Sequence, residues 1–323
     1  IRFLDPALGT GSFYAAFRTI FSGELIEAAV GIELDRAISE VARGLWSQTG
    51  LDVRTGDFTK QRPPDSPGTP GFNLILTNPP YVRHHHLESK DKERLKARVF
   101  RSLGIEISGL AGLYCYFLLL AHEWLADDGI AAWLIPSEFM TVNYGSAIRR
   151  YLTEHVTLLR VHRFCPSDVQ FADALVSSVI VVFEKRPPVA AQSAEFSFGG
   201  RMHDPQTCQQ VAIDDLRRSV RWTDFPCDDP QPTEGDEHCT LGDLFTIKRG
   251  LATGANDFFI IPRRQARELE IPPQFLKPIL PSPRFLHETV IESDSEGYPR
   301  LPDPLELIDC GLAESELKRA FPK

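Results

Sequence analysis

The sequence predicts an α/β protein built on a doubly wound, mostly parallel sheet, followed by a second, smaller domain. Short strands and helices alternate over about the first 185 residues, which is typical of a parallel sheet with helices on both faces. The predicted strands are almost continuously apolar, as strands buried on both faces are. After Arg186 prolines accumulate and the apolar runs shorten, which indicates the end of the first domain.

Seven strands are predicted in the first domain from apolar and β-branched runs: residues 1–5, 28–35, 51–58, 72–78, 130–136, 158–164 and 177–185. Apolar periodicity predicts helices over residues 13–21, 36–46, 110–129 and 142–155. Gly129 is expected to end the third of these helices. The segment 87–103 is basic and is predicted to be partly helical. No clear helix separates the last two strands, which leaves room for one of them to run antiparallel.

Composition divides the chain into three parts. Residues 1–186 form the first domain, residues 187–238 are expected to be a linker or irregular region, and residues 239–323 form part of a second domain. The chain starts inside a predicted strand and stops within a predicted helix, so we expect sequence to be missing at both ends.

The overall charge is acidic, but one segment is basic. The formal net charge is −9, which by itself argues weakly against a nucleic-acid partner. Between residues 83 and 101, seven basic residues against three acidic residues give a local charge of +4. This run can be a phosphate-binding face or a solvated helix with i,i+4 ion pairs, and the sequence leaves both interpretations open. The basic residues are Arg83, Lys90, Lys92, Arg94, Lys96, Arg98 and Arg101.

The spacing of the cysteines and the length of the apolar runs argue against a zinc site and a membrane-spanning helix. The six cysteines are widely spread with no CxxC pair, which disfavours a zinc site and fits reduced thiols in a cytoplasm. The longest apolar run, residues 113–121, is too short to span a bilayer. No signal peptide is evident, so we expect no membrane partner.

Acidic residues follow the first three predicted strands. Asp5 is followed by a turn with Gly9 and Gly11, Glu33 ends the second strand, and Asp57 ends the third beside Phe58. Glycines let the backbone approach a ligand, a carboxylate can accept from ribose hydroxyls or an adenine amino group, and a ring can stack on a purine. Each alone has a simpler explanation, such as a tight turn, a helix-dipole charge or a turn aspartate. Together they predict a nucleoside-binding crevice.

The fourth strand ends in Asn78-Pro79-Pro80-Tyr81. The Asn78 amide oxygen and the Pro79 carbonyl are two acceptors at a fixed spacing, which suits an amino group with two protons to donate. The prolines hold these acceptors rigidly, and Tyr81 offers a flat face for a planar substrate. A proline-stiffened turn with an Asn cap is the alternative.

In this order, "DPALGTGSF", "GIELD", "TGDF" and "TNPPY" resemble the gamma group of N6-adenine DNA methyltransferases of bacterial restriction–modification systems, of the Taq and Eco57 types. The resemblance covers most of residues 1–185 and implies the S-adenosylmethionine-dependent methyltransferase fold. It continues through "GLYCYFLLLAHEWLADDGIAAWLIPSEFM". The stretch "LGDLFTIKRGLATGAN" is similar to the start of the family's target recognition domain, which would make residues 239–323 a partial recognition domain. The family also places a cofactor-covering segment before the first strand, which this sequence does not include.

The resemblance also implies roles for single residues. The methionine end of the cofactor S-adenosylmethionine would be bordered by Asp5, Gly9 and Gly11. Glu33 would hold its ribose hydroxyls. Its adenine would be contacted by Leu34, Asp57 and Phe58. Asn78 and Pro79 would bind the target amino group, with Tyr81 stacked on the base as a third catalytic residue. The substrate would further be contacted by Pro80, Arg83 and a second aromatic, Phe171, whose alternative is an ordinary core phenylalanine.

These roles imply a site-specific DNA adenine-N6 methyltransferase, cytoplasmic and nucleoid-associated in bacteria. Its partner would be double-stranded DNA with a flipped adenine, because a stacked base cannot reach such a site. A restriction endonuclease partner or a fused nuclease domain is left open. His84, His85 and His86 raise the question of a metal, but methyl transfer from a sulfonium needs none, so we expect no metal site.

Two other functions are compatible with the same residues. A methyltransferase acting on a protein glutamine or on an RNA base uses the same Asn-Pro-Pro-Tyr chemistry, although such enzymes usually end soon after the sheet. A non-catalytic DNA-recognition subunit would keep the fold without turnover, but the intact residues 78–81 argue against it.

Overall fold

The computed structural model describes residues 1–63, 71–165, 177–226, 241–244, 246, 253–281, 286 and 290–321. The chain forms two compact units, Ile1–Thr233 and Glu234–Lys323.

The first unit is organised by a nine-stranded sheet. Its strands are β1 (Arg2–Asp5), β2 (Ala28–Glu33), β3 (Leu51–Thr55), β4 (Phe72–Thr77), β5 (Leu125–Pro136), β6 (Thr157–Arg163), β7 (Ser178–Glu184), β8 (Ser193–Arg201) and β9 (Asp204–Ala212). Their order across the sheet is β3-β2-β1-β4-β5-β7-β6-β8-β9. The strands β1 to β5 are mutually parallel, and β7 is antiparallel to both β5 and β6. The predicted mostly parallel α/β sheet is confirmed, including one antiparallel strand among the last two predicted.

Helices cover both faces of this sheet. They are α1 (Ser12–Ile20), α2 (Arg36–Trp46), α3 (Ser89–Leu103), α4 (Leu113–Leu120), α5 (Ser146–Glu154) and α6 (Ile213–Arg218). Successive residues of a strand point to opposite faces. Accordingly Phe3 packs with Tyr14 and Phe17 of α1, whereas Leu4 belongs to the large core that contains α3, α4 and α5. Burial on both faces explains why the central strands are apolar throughout.

The predicted helix over residues 110–129 is wrong in its second half. The α-helix stops at Leu120, a short 3₁₀ turn covers Ala121–Glu123, and β5 already begins at Leu125. Leu125 pairs with Phe72 of β4, and the register then shifts before Ile130 pairs with Leu74. The tertiary ladder with β4 therefore overrides a local pattern that reads as helix.

The expected irregular region over residues 187–238 contains two further strands. β8 lies parallel to β6, and β9 pairs antiparallel with β8 as the last strand of the sheet. Ala194 and Phe196 of β8 are buried, whereas most of β9 is polar and at least partly exposed. An edge strand with one solvated face tolerates this composition, which is why the segment resembles a loop in sequence.

The second unit contains a small three-stranded antiparallel sheet in the order β10-β12-β11. Its elements are α7 (Leu241–Leu244), α8 (Asn256–Phe259), β10 (Ile260–Pro262), α9 (Arg263–Glu268), β11 (Leu276–Ile279), β12 (Leu305–Ile308) and α10 (Glu314–Ala320). Much of the stretch that resembles a recognition domain, including residues 247–252, lies outside the described residues.

The turn after β1 depends on Gly11. Its φ is +95°, and an added Cβ would lie 2.4 Å from Nε1 of Trp46, which donates to the Thr10 carbonyl at 2.8 Å. We therefore expect Gly11→Ala to lower the free energy of unfolding by about 1–3 kcal/mol, measured by urea denaturation. Gly44→Ala is the control, because Gly44 lies inside α2 with no heavy atom within 4 Å of an added Cβ. It should stabilise by about 0.5–1 kcal/mol. Equal stability of the Gly11 variant and the wild type would contradict this packing.

Candidate active site

The carboxyl ends of four parallel strands bring the predicted site residues together. Asp5 ends β1, Glu33 ends β2, Asp57 follows β3 and Asn78 follows β4. The chain order reverses between β1 and β4, which are neighbours in the sheet. Ligand crevices of open α/β sheets form at such a switch point, outside the carboxyl ends of the strands.

A cavity of about 340 Å³ lies at this edge. Seven of the predicted residues line it: Gly9, Glu33, Leu34, Asp57, Phe58, Asn78 and Pro80. They come from four separate turns of the chain, so only the fold places them in one cavity. The volume falls within the range typical of small-molecule sites.

Asp5 is fully buried at the end of β1. Burial raises the pKa of its carboxyl to about 7 from an ordinary value of 3.8. The Ala7 amide donates to Oδ1 at 3.0 Å, but Oδ2 has no hydrogen-bond partner among the described residues. The neighbouring Thr77 hydroxyl offsets part of this rise in the pKa, although Thr77 Oγ1 and Asp5 Oδ2 form no hydrogen bond in the structure. An unpaired buried carboxylate oxygen is costly and is ready to accept from a cationic ligand group.

Glu33 ties the first two turns together. Its Oε2 accepts from the Gly9 amide at 2.9 Å, and its Oε1 accepts from the Asp35 amide at 2.8 Å. Each carboxylate oxygen has a further lone pair, so both remain able to accept from a hydroxyl. Gly9 itself has φ +56°, which turns its amide towards Glu33 in a conformation that favours glycine.

Asp57 caps the turn that follows it and retains one oxygen for another partner. Its Oδ1 accepts from the Thr59 amide at 2.9 Å and from the Thr59 hydroxyl at 2.7 Å. Its Oδ2 lies 3.5 Å from Nζ of Lys60. The simpler interpretation as a turn aspartate is therefore correct for Oδ1, whereas Oδ2 has only the Lys60 ammonium as a partner.

The apolar walls of the cavity are unequal. The Leu34 side chain is 70% exposed, whereas Phe58 is 2% exposed and packs against Phe117 with ring centroids 5.1 Å apart. Phe117 and Leu113 of α4 also line the cavity. Sequence reasoning missed them because every residue from Leu113 to Leu120 is apolar or aromatic, so no pattern separates a wall from a core position.

The segment 78–83 lies between this cavity and a second one. Oδ1 of Asn78 is buried without a hydrogen-bond partner among the described residues, and Pro79 is buried beside it. Tyr81 and Arg83 line the second cavity, of about 290 Å³. The Tyr81 hydroxyl donates to the Leu134 carbonyl at 3.0 Å, and burial raises its pKa. The Tyr81 ring is thus held in place and stays a neutral phenol.

Further side chains that line the second cavity carry no sequence signal of their own. Tyr114, Glu138 and Tyr144 all line it, and the Tyr144 hydroxyl donates to Oε2 of Glu138 at 2.6 Å. The Tyr114 hydroxyl is buried and has no hydrogen-bond partner among the described residues. Tyr114 precedes the other two residues by more than twenty positions, and no sequence pattern links it to them.

Asp5, Pro79 and Gly11 do not line either cavity, although Pro6 and Ala7 next to Asp5 line the first. Gly11 faces Trp46 and does not line the first cavity. Phe171 lies outside the described residues. Within the basic run, Arg94 and Arg98 point to the Thr59 carbonyl, at 2.8 Å and 3.0 Å, so these two are engaged inside the protein. For Arg94 and Arg98, neither the interpretation as a solvated helix face nor the interpretation as a phosphate-binding face is therefore correct.

The described part of the chain holds no cluster of His, Cys, Asp and Glu that could bind a metal ion. None of the described helices has the length and apolar composition to cross a bilayer.

The first cavity fits S-adenosylmethionine. Asp5 does not line the cavity itself but directly precedes Pro6 and Ala7, which do. Its unpaired Oδ2 suits the ammonium of a methionine end, and Glu33 suits ribose hydroxyls. Exposed Leu34 and the buried ring of Phe58 leave an apolar slot beside Asp57, as a planar base with an amino group requires.

Comparison with known proteins shows similarity to methyltransferases of restriction-modification systems. Residues 31–171 match the Eco57I restriction-modification methylase family. The type II methyltransferase M.XamI of Xanthomonas campestris pv. amaranthicola is 28% identical over 263 residues, which are 80% of this chain and 48% of M.XamI. The chain therefore spans about half the length of this curated relative.

Solved structures share the fold. The type IIL restriction-modification enzyme MmeI, solved in complex with DNA, superposes with a TM-score of 0.58 at 13% identity, over 99% of this chain and 46% of MmeI. The methyltransferase subunit of a type I restriction-modification system from Streptococcus thermophilus has a TM-score of 0.51 at 16% identity, over 68% of this chain and 47% of that subunit. At these identities the likeness establishes the methyltransferase fold alone. Over residues 31–171, this chain is similar to the Eco57I restriction-modification methylase family.

Proposed function

We propose that this chain is the catalytic part of a site-specific DNA methyltransferase that acts on the N6 amino group of a flipped adenine. The observation that carries the proposal is the buried, unpaired amide oxygen of Asn78 on the wall of the strand-end cavity. An unpaired buried acceptor is retained only where it has a use, because it costs free energy in the absence of a partner. The match of residues 31–171 to the Eco57I restriction-modification methylase family supports methyl transfer as that use.

In this proposal the first cavity holds the cofactor. When bound, S-adenosylmethionine supplies an electrophilic methyl group, which passes to the amino nitrogen without a covalent protein intermediate. Asp5 holds the ammonium at the methionine end, with the Gly9 turn beside it and Gly11 supporting that turn from behind. Glu33 accepts from the ribose hydroxyls. Leu34 and Phe58 enclose the adenine, and Asp57 accepts from its amino group.

The target base is held on the other side of residues 78–81. Asn78 Oδ1 and the Pro79 carbonyl accept the two amino protons, which turns the nitrogen lone pair outwards for transfer. Tyr81 stacks on the base, and Pro80 and Arg83 border it, with Phe171 expected as the second aromatic. Stacking repays about 1–3 kcal/mol of the cost of flipping the base. Orientation of the two reactants supplies the rate enhancement.

The relatives favour DNA as the substrate. M.XamI is a type II methyltransferase, and MmeI was solved with DNA bound. Residues 234–323, with their own small sheet, are proposed to be part of a target recognition domain. A restriction endonuclease partner, or a fused one as in restriction-modification enzymes, is compatible with this role.

The proposal is tested by sequencing genomic DNA from methylation-deficient bacteria that express the gene for this chain. We expect N6-methyladenine at one defined sequence, and none in cells that carry an Asn78→Ala gene. N4-methylcytosine in its place would overturn the adenine assignment. Unmodified DNA together with methylated glutamine in a cellular protein would favour the protein-methylating alternative.

A purified-protein measurement separates DNA from RNA or protein substrates. Duplex DNA with 2-aminopurine at the target position should gain fluorescence on binding, because flipping unstacks the probe. Calorimetric cofactor binding with no methyl transfer to DNA over long incubation would instead support a non-catalytic recognition subunit.

A further inference from the structure

Two arginines of α3 converge on the turn that carries Asp57. Arg94 Nη1 donates to the Thr59 carbonyl at 2.8 Å, and Arg98 Nη1 donates to the same oxygen at 3.0 Å. Thr59 is 3% exposed, so its carbonyl is satisfied almost entirely by these two guanidinium groups. α3 therefore fixes the backbone of this turn through charge-assisted hydrogen bonds.

Arg94 also acts on the side chain of Thr59. Its Nη2 lies 3.2 Å from Thr59 Oγ1, which in turn donates to Oδ1 of Asp57 at 2.7 Å. Because the arginine occupies a lone pair of the hydroxyl, the hydroxyl proton is directed to Asp57. Together with the Thr59 amide this gives Oδ1 two donors. Oδ2 is paired only with the largely exposed Lys60 ammonium at 3.5 Å, and it is the oxygen that a ligand can engage.

Each guanidinium group also donates to a carboxylate. Arg94 donates to Oδ1 of Asp91 at 3.1–3.2 Å, and Arg98 donates to Oε2 of Glu123 at 2.7 Å. Arg94 also lines the first cavity, on the side of Asp57. These contacts occupy most of the N–H donors of Arg94, so this residue serves the cavity and not the DNA backbone.

We propose that Arg94 is a positioning residue that makes the first cavity selective for a cofactor with an adenine amino group. It acts through Thr59, which orients Asp57 so that one carboxylate oxygen faces the base and accepts from its amino group. A base that presents a carbonyl at this position meets a carboxylate oxygen and gains nothing from the arrangement. This inference rests on the proposed function, because it takes the ligand to be S-adenosylmethionine.

The test compares two ligands by calorimetry: S-adenosylhomocysteine and its inosine analogue, in which a carbonyl replaces the adenine amino group. Arg94→Ala is expected to weaken S-adenosylhomocysteine binding about 10-fold, the effect of one hydrogen bond to a charged group. Binding of the inosine analogue should weaken less than about 2-fold. The preference for S-adenosylhomocysteine over the inosine analogue should therefore fall by about 5-fold or more. Arg94→Lys, which cannot contact both Thr59 oxygens with a fork of donors, should recover only part of the affinity.

Thr59→Val tests the same chain of contacts independently, in case Arg94→Ala does not fold. It removes the hydroxyl and keeps the Thr59 carbonyl with both arginines, so it should show the same selective loss as Arg94→Ala. The double variant should lose no more than either single one, because both changes break one chain of contacts. Arg150→Ala is the matched control, since Arg150 forms an exposed helical pair with Glu154 at 2.8 Å.

Equal losses for the two ligands, or no loss in Thr59→Val, would overturn the inference. Failure of the wild-type protein to bind S-adenosylhomocysteine at all would contradict the proposed cofactor itself. The two failures are therefore distinguished by the wild-type titration.

Discussion

Asn78→Ala is expected to lower the rate of methyl transfer at saturating substrates by at least about 100-fold, by analogy with the loss of one preorganised hydrogen-bonding group in other enzymes. The Asn78 amide oxygen is buried and unpaired, so it is preorganised to accept an amino proton and needs no rearrangement when the base arrives. Cofactor affinity should change by less than about 3-fold, because the residues proposed to bind the cofactor are not altered by this substitution. The measurement is transfer of labelled methyl to unmodified bacterial DNA, with cofactor binding by calorimetry alongside.

Two variants make this result specific. Asn78→Asp keeps an acceptor oxygen in the same place and should retain more activity than the alanine variant. Asn73→Ala is the matched control, since Asn73 is an exposed asparagine near the other end of β4 whose Oδ1 accepts from the Arg2 amide at 2.8 Å. Full turnover by Asn78→Ala would remove this residue from the catalytic role.

Asp5→Asn is expected to stabilise the ligand-free protein at pH 8 and at the same time weaken cofactor binding. The pKa of Asp5 is raised by burial to about 7 from 3.8, with the charge of Glu33 adding to the rise. Between about pH 4 and pH 7 the folded protein therefore holds a proton that the unfolded chain has released. Stability contributed by this group is present below about pH 4 and is lost as the pH rises to about 7.

The Asn variant carries no such charge, so it should escape this loss. Its melting temperature should exceed that of the wild type by several degrees at pH 8, with the difference vanishing near pH 4. Asp52→Asn is the control, because Asp52 is exposed and pairs with Arg54. A melting difference that is the same at both pH values would contradict the ionisation of a buried Asp5.

Cofactor binding should show the opposite preference. The ionised carboxylate is the form that attracts an ammonium, so wild-type affinity for S-adenosylmethionine should rise between pH 6 and pH 8. Asp5→Asn should bind at least about 10-fold more weakly at pH 8 and lose most of this pH dependence. The site is thus expected to keep a destabilising group in place because the ligand needs it.

The sequence was sufficient to predict the central strands and the residues at their carboxyl ends. The motifs around Asp5, Glu33, Asp57 and Asn78 are local, and each combines an apolar strand with a polar residue at its end. Since parallel strands share one edge, this pattern alone predicts that the four side chains meet. Gly9 and the Asn-Pro-Pro-Tyr turn were likewise visible, because glycine and proline restrict the backbone locally.

The groups that support the site could be identified only from packing between distant segments. The extent of β5 and the addition of β8 and β9 depend on ladders between distant segments, which override a helical pattern and a polar composition. The orientation of Arg94 towards Thr59 likewise depends on how α3 packs, and charge counting alone left it open as a phosphate ligand. Local patterns fix what a residue can do, whereas packing between distant parts of the chain decides which partner it meets.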